Sequence, residues 1–178
     1  MGVTTLIDVS FSDEQSEVID LDYLKRYMTI ETDTHDVLLN DLIKSARTEV
    51  EKLGGISIVE KTIRAEWEQA YEYVRLPYPK IKSITSLKDG ESTSLDITNY
   101  NVRGQDKKTI YGNFSTGLVV EYVAGYGDDT PEDLKLAIAK KVSEDFEQRT
   151  GIALESNSLL PNNWRPTVIN YRPTWMMF

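Results

Sequence analysis

Apolar positions along this chain follow two periods, and the change from one to the other divides it. Near the start, Leu21, Leu24, Tyr27 and Met28 fall at three- and four-residue steps behind Asp20, a residue type that accepts from the free N–H groups of a helix start. The spacing predicts a short helix over 21–28. A longer stripe of Leu39, Leu42, Ile43, Ala46, Val50 and Leu53 predicts a helix over 34–53, with Asp33 or Thr34 as N-cap and Gly54 and Gly55 at its end. The third stripe is Leu134, Ala137, Ile138, Val142 and Phe146, with Lys135, Lys140, Lys141, Glu144 and Glu147 on the polar side. Thr130 suits its N-cap, Pro131 its first position, and Glu132 and Asp133 complement the positive end of the helix dipole. A helix over 131–149, stopped by Gly151, is expected.

From Ser57 the period becomes two. Ile63, Ala65 and Trp67 alternate with Arg64, Glu66 and Glu68, and the pattern runs on through Tyr71 and Tyr73 to Leu76, which predicts one long strand with a solvated face. Pro77 and Pro79 end it. Ile81, Ile84 and Leu87 lead to the turn signal Lys88-Asp89-Gly90, Tyr100, Val102, Ile110 and Tyr111 suggest two short strands joined around Arg103 to Lys108, and residues 118–124 read as a buried strand. The expectation is α+β: a helical core over 20–155 with an antiparallel β-meander inserted within 58–124, of which 118–124 is the last member.

Both ends break the pattern. Residues 1–19 read as an arm, in which Val3, Ile7, Val9 and Phe11 partly alternate and could add a strand to a neighbour, with disorder as the alternative. Residues 156–178 carry Pro161, Pro166 and Pro173, and because the residue before a proline is pushed away from helical geometry, an extended tail is expected. Such a tail cannot bury its large side chains on itself. Trp164, Arg165, Tyr171, Arg172, Trp175, Met176 and Phe178 are therefore the candidate partner-binding residues, because aromatic, Met and Arg side chains dominate interface energetics; folding back onto the chain's own core is the other outcome.

Composition narrows the function. The 178 residues suit one domain with appendages. Cysteine is absent, which removes disulfides and thiolate metal ligands, and no apolar run approaches the roughly 20 residues of a membrane span. Twenty-nine acidic against 20 basic residues give a net charge of −9, so the counterion-displacing basic face of a DNA-gripping protein is not expected, although an acidic wall lets DNA pass without sticking. The single histidine, His35, sits at a helix start and reads as solvated. Glu66, Glu68 and Glu72, and Glu144, Asp145 and Glu147, read as solvated faces, not as converging acid–base pairs. Gly125 and Gly127 lack the spacing and Lys of a phosphate loop, and Asp128 to Asp133 lack calcium-loop spacing. Trp67, Tyr71 and Tyr73 could stack on bases, but the intervening glutamates favour a core or interface. No enzyme, cofactor or metal is expected.

Two stretches carry a resemblance. EYVAGYGDDTPEDLKLAIAKKVSEDFEQRTG joins a valine-rich strand, a Gly-Tyr corner and a Pro-Glu-Asp-Leu-Lys cap to a closing helix, and DLDYLKRYMTIETDTHDVLLNDLIKSARTEVEKLGG pairs a short helix with a capped long one that ends in an Ala-Arg and Val-Glu text. Both resemble phage head-to-tail connector proteins, also called adaptor or head-completion proteins. The resemblance implies a structural virion protein at the head–tail junction, assembled in the host cytoplasm. It also implies a homo-oligomeric ring of about twelve copies, docked on the portal protein and on tail or tail-completion proteins, with DNA passing through unbound. The alternative is a monomeric protein-binding module, such as a tail-completion factor or assembly chaperone. A third reading, an acidic hydrolase, would need two carboxylates converging in a pocket.

Overall fold

The computed structural model describes residues 5–12, 16–69, 72–112, 114, 117–148 and 163–173. Among these are the strands β1 (Thr5–Ser12), β2 (Lys61–Gln69), β3 (Tyr73–Arg75), β4 (Ile81–Asp89), β5 (Asn101–Arg103), β6 (Thr109–Tyr111) and β7 (Leu118–Ala124). The helices are α1 (Leu21–Met28), α2 (Asp36–Gly54), α3 (Glu132–Gln148) and α4 (Arg165–Asn170). The class is α+β, as expected. Two compact units emerge: Val59–Tyr126 with β1, and Ser16–Ile58 with the described residues from Gly127 on.

The β unit holds two antiparallel sheets, one ordered β1-β2-β7-β4 and the other β3-β6-β5. Two expectations are corrected here. The strands are not a sequential meander, because β7 lies between β2 and β4 instead of at an end. Its sequence, LVVEYVA, has no proline and alternates fully buried with half-buried positions, so both of its edges can be paired. The single long strand through 63–76 is two strands in different sheets; Glu72, at φ 48°, takes a left-handed conformation that ends the extended run. Ile63, Ala65, Trp67, Val74, Ile110, Leu118, Val120 and Tyr122 belong to one buried cluster. Inside it the Tyr122 hydroxyl donates to the Pro77 carbonyl at 2.5 Å, and burial pushes its ionisation well above the usual range.

The Gly-Tyr corner after β7 has a steric reason. Gly125 sits at φ +143°, where a Cβ would fall 2.3 Å from the Val59 carbonyl oxygen. β1 is a strand, as the partial alternation suggested, but it pairs with this chain's own β2, from Leu6 opposite Trp67 to Ser12 opposite Thr62. One extra residue between Leu6 and Asp8 shifts the register. Phe11 anchors the strand, its ring edge-on to Tyr78 at 5.2 Å and under the Lys61 ammonium at 4.8 Å.

In the helical unit α1, α2 and α3 fall within about two residues of their expected bounds. Asp20 caps α1, accepting from the Tyr23 N–H at 2.7 Å. The N-cap of α2 is instead His35, without a side-chain bond, because Asp33 is taken by Lys25 at 2.6 Å, which also reaches Asp36 at 2.6 Å. The bond from Lys25 holds the Asp33 carboxyl below its usual range, and the bonds from Asp33 and Asp36 raise the Lys25 ammonium above its own. His35 is half-buried, not solvated, its ring edge-on to Phe146 at 5.4 Å. The expected arm is shorter than 1–19, because its last residues belong to the helices: Ile19 is buried and Glu17 receives both Nε and Nη2 of Arg47.

Candidate functional site

The residues after Glu155 were expected to be extended, and where they are described they are not. Residues 163–173 hold α4, so the extended tail is corrected to a short helix there. Pro166 sits in the first turn, where the missing N–H costs no hydrogen bond and the fixed φ favours the helix, so the proline starts the helix it was expected to prevent. Helix α4 packs against α2 and α3. Its inward residue Val168 is fully buried, and a Cβ built on Gly54 would stand 3.0 Å from the Val168 Cγ1, so α4 lies directly on the end of α2.

The candidate side chains divide across this helix. Trp164 is only 2% exposed, with its indole N–H donating to Glu144 at 3.1 Å. It anchors α4 to the chain's own helices, which corrects its assignment as a partner-binding residue: the large ring finds enough apolar surface at home and a carboxylate for its one donor. Tyr171 is tied down similarly, its hydroxyl shared between the two carboxylate oxygens of Asp133 at 2.7 and 2.9 Å. Arg165 lies over the Trp164 ring at 5.3 Å, its guanidinium 3.9 Å from Glu49 and its side chain about half exposed. Arg172 is exposed, and so is Ile169 at 44%. Trp175, Met176 and Phe178 lie outside the described residues, beyond the buried Pro173.

The outer side of this segment therefore offers Arg165 and Ile169 on α4, beside the exposed Pro166 and Asn170, and Arg172 two residues past the helix end. Ile169 was not singled out from the sequence; its spacing from Arg165 is one helical turn, a signal legible only once the segment is read as a helix. The ionisable groups behind this face are engaged. Lys141 bridges Asp145 and Glu49; burial opposes its charge, but those two carboxylates outweigh it and raise the ammonium above its usual range. Among the described residues no group of three His, Cys, Asp or Glu side chains converges to hold a metal ion, and no helix is long and apolar enough to cross a membrane. Trp67, weighed as a stacking surface, is buried in the β unit, and Tyr71 lies outside the described residues.

The family described as head completion protein matches residues 17–150. No curated protein sequence matches the chain. The chain is similar to a solved structure of the neck of an empty gene transfer agent particle, with C6 symmetry, at TM-score 0.73 and 13% identity, covering 93% of this chain and 95% of that one. It is similar also to the neck of a native particle with C12 symmetry, at TM-score 0.67 and 12% identity over 92% of this chain and 94% of that one. A third match is a chain of the native gene transfer agent virion, at TM-score 0.71 and 12% identity over 93% of this chain and 95% of that one. At such identity these three establish the shared fold. The match over residues 17–150, which takes in α1, α2, strands β2 to β7 and α3, shows that the chain belongs to the head completion protein family, structural virion proteins of the head-to-tail junction.

Proposed function

We propose that copies of this chain close into a ring beneath the portal, extend the channel through which DNA leaves the head, and carry the surface on which the tail assembles. The similar solved chains come from necks with C6 and C12 symmetry, and that observation carries the reading of a closed ring. In a ring, one face of each subunit meets a different face of the next, so a modest contact repeated to closure gives a stable assembly. A charge of −9 on each copy, multiplied around the ring, suits a lumen along which a polyanion slides. Docking on the portal or a tail component falls to Arg165 and Ile169 on the exposed side of α4 and to Arg172 just past its end, with Trp175, Met176 and Phe178 as further docking residues; Tyr171 holds the helix through Asp133. No catalytic step is assigned to any residue.

The test is the native mass of the full chain beside a version ending at Pro173. That version keeps Trp164 and α4 in place, whereas a cut after Glu155 would strip a buried side chain from the helical unit. A discrete high-order species for both, with portal binding lost only on truncation, is the expected result. Monomers for both, with portal still binding one copy at a time, would instead make the protein a single-copy binding module.

A further inference from the structure

The sheet β3-β6-β5 has one face in the core and one outside. Val74 and Ile110 are fully buried and Val102 packs on the same cluster. By alternation the outward positions are Tyr73 and Arg75 on β3, Thr109 and Tyr111 on β6, and Asn101 and Arg103 on β5. The register aligns them in two rows: Tyr73, Tyr111 and Asn101 face one another, and so do Arg75, Thr109 and Arg103. The rings of Tyr73 and Tyr111 lie 5.8 Å apart. The Arg75 guanidinium stands 5.3 Å from the Tyr73 ring and that of Arg103 5.4 Å from the Tyr111 ring. Tyr73 and Tyr111 are each about 40% exposed. No Asp or Glu occupies an outward position of this sheet, in a chain whose acidic residues outnumber its basic ones 29 to 20.

From this geometry we infer that the Tyr73–Arg75–Arg103–Tyr111 face is one half of the contact between neighbouring copies, receiving an acidic surface of the next subunit. The inference rests on the ring reading above. Copies that each carry −9 repel one another, which favours a contact where the sign reverses locally. This face supplies the reversal, together with the Tyr and Arg types that concentrate binding energy. The rest of the chain offers many matching surfaces, among them the exposed Asp128, Asp129 and Glu132. A head-to-tail contact joins two different faces, as this pairing requires. Duplex DNA is the weaker occupant, because it presents phosphates and keeps base faces stacked away from tyrosine rings.

The experiment is native mass against concentration for the full chain, wild type beside Arg75→Glu/Arg103→Glu and Arg75→Lys/Arg103→Lys, with thermal melting as the folding control. The Glu variant is expected to melt as wild type yet need at least about tenfold more protein to assemble, the Lys variant falling between. Should the double variant unfold, Arg103→Glu alone serves in its place. Wild-type assembly by the folded Glu variant overturns the inference and leaves the ring reading intact. The same holds if wild type retards duplex DNA on a gel and the Glu variant does not while both form rings. A wild type that stays monomeric removes the ring reading and the inference together.

Discussion

Arg47 shows how a residue that looks solvated can be structural. Its side chain is 6% exposed and holds Glu51, one helical turn on, at 3.0 Å and Glu17 through a two-pronged contact at 3.1 and 3.2 Å. Glu51 in turn accepts from the Ile58 N–H at 2.6 Å. The Ala-Arg and Val-Glu text was readable in the sequence, and the four-residue spacing permits an ion pair. Its burial was not readable, because the third member, Glu17, comes from a segment assigned to the arm. Breaking a buried ion pair from one side leaves the other charge stranded, so Arg47→Met is expected to cost about 3–5 kcal/mol in urea unfolding. A loss below about 1 kcal/mol would mean that water reaches the carboxylates, as it does for surface pairs. Gly125 is the contrasting case: the sequence marked a corner correctly, and only the backbone shows that a neighbouring carbonyl leaves no room for a side chain.

Among the elements, helices α1 to α3 were legible because an unbroken apolar stripe marks each, and on α1 the expected Asp20 cap agrees with it. Helix α4 was not, because the preference of the residue before a proline was applied to a position where the proline begins a helix. What stabilises so short a helix is tertiary packing, chiefly Trp164 and Val168, since six residues cannot stabilise themselves. Replacing Trp164 by Ala should therefore lower stability by about 3–5 kcal/mol. Amide exchange in 165–170 should accelerate more than in α2, because the anchor of α4 is lost while α2 keeps its packing on α3. Equal acceleration in both helices would show that α4 and α2 open as one unit. The place of β7 was likewise hidden: period-two patterning tells which face of a strand is buried and says nothing about which strands flank it.

For the molecule as a whole, the pH response follows from groups in both units. Asp33, held down by the bond from Lys25, and Asp96, held down by the backbone N–H of Thr98, have carboxyls below their usual range. Their contribution is complete above the ordinary carboxylate value and is lost as pH falls through the folded one. Tyr122, raised by burial, and Lys141, raised by its two carboxylates, act in the other direction. They stabilise below their ordinary values and cease to do so as the pH climbs through the folded ones. Thermal melting should show a plateau from about pH 5 to 9 with a fall on each side, and Asp96→Asn should flatten the acid limb. An acid limb that Asp96→Asn leaves unchanged would assign it to other carboxylates. Residues 20–155 read as one core from the sequence; the structure forms two compact units, whose first border, between Ile58 and Val59, lies beside the change of period at Ser57.

The corner that closes the helical unit has a consequence for how this protein can change. The Gly127 N–H donates to the Ile58 carbonyl at 2.8 Å, so the two chain ends that leave for the β unit and return from it are already joined side by side. The segment Val59–Tyr126 is thus inserted at one closed point of the helices, but β1 joins the same sheet from the chain before Ser16, so the connections between β4 and β7 can be lengthened or pruned without rethreading the helices while β2 must stay to receive β1.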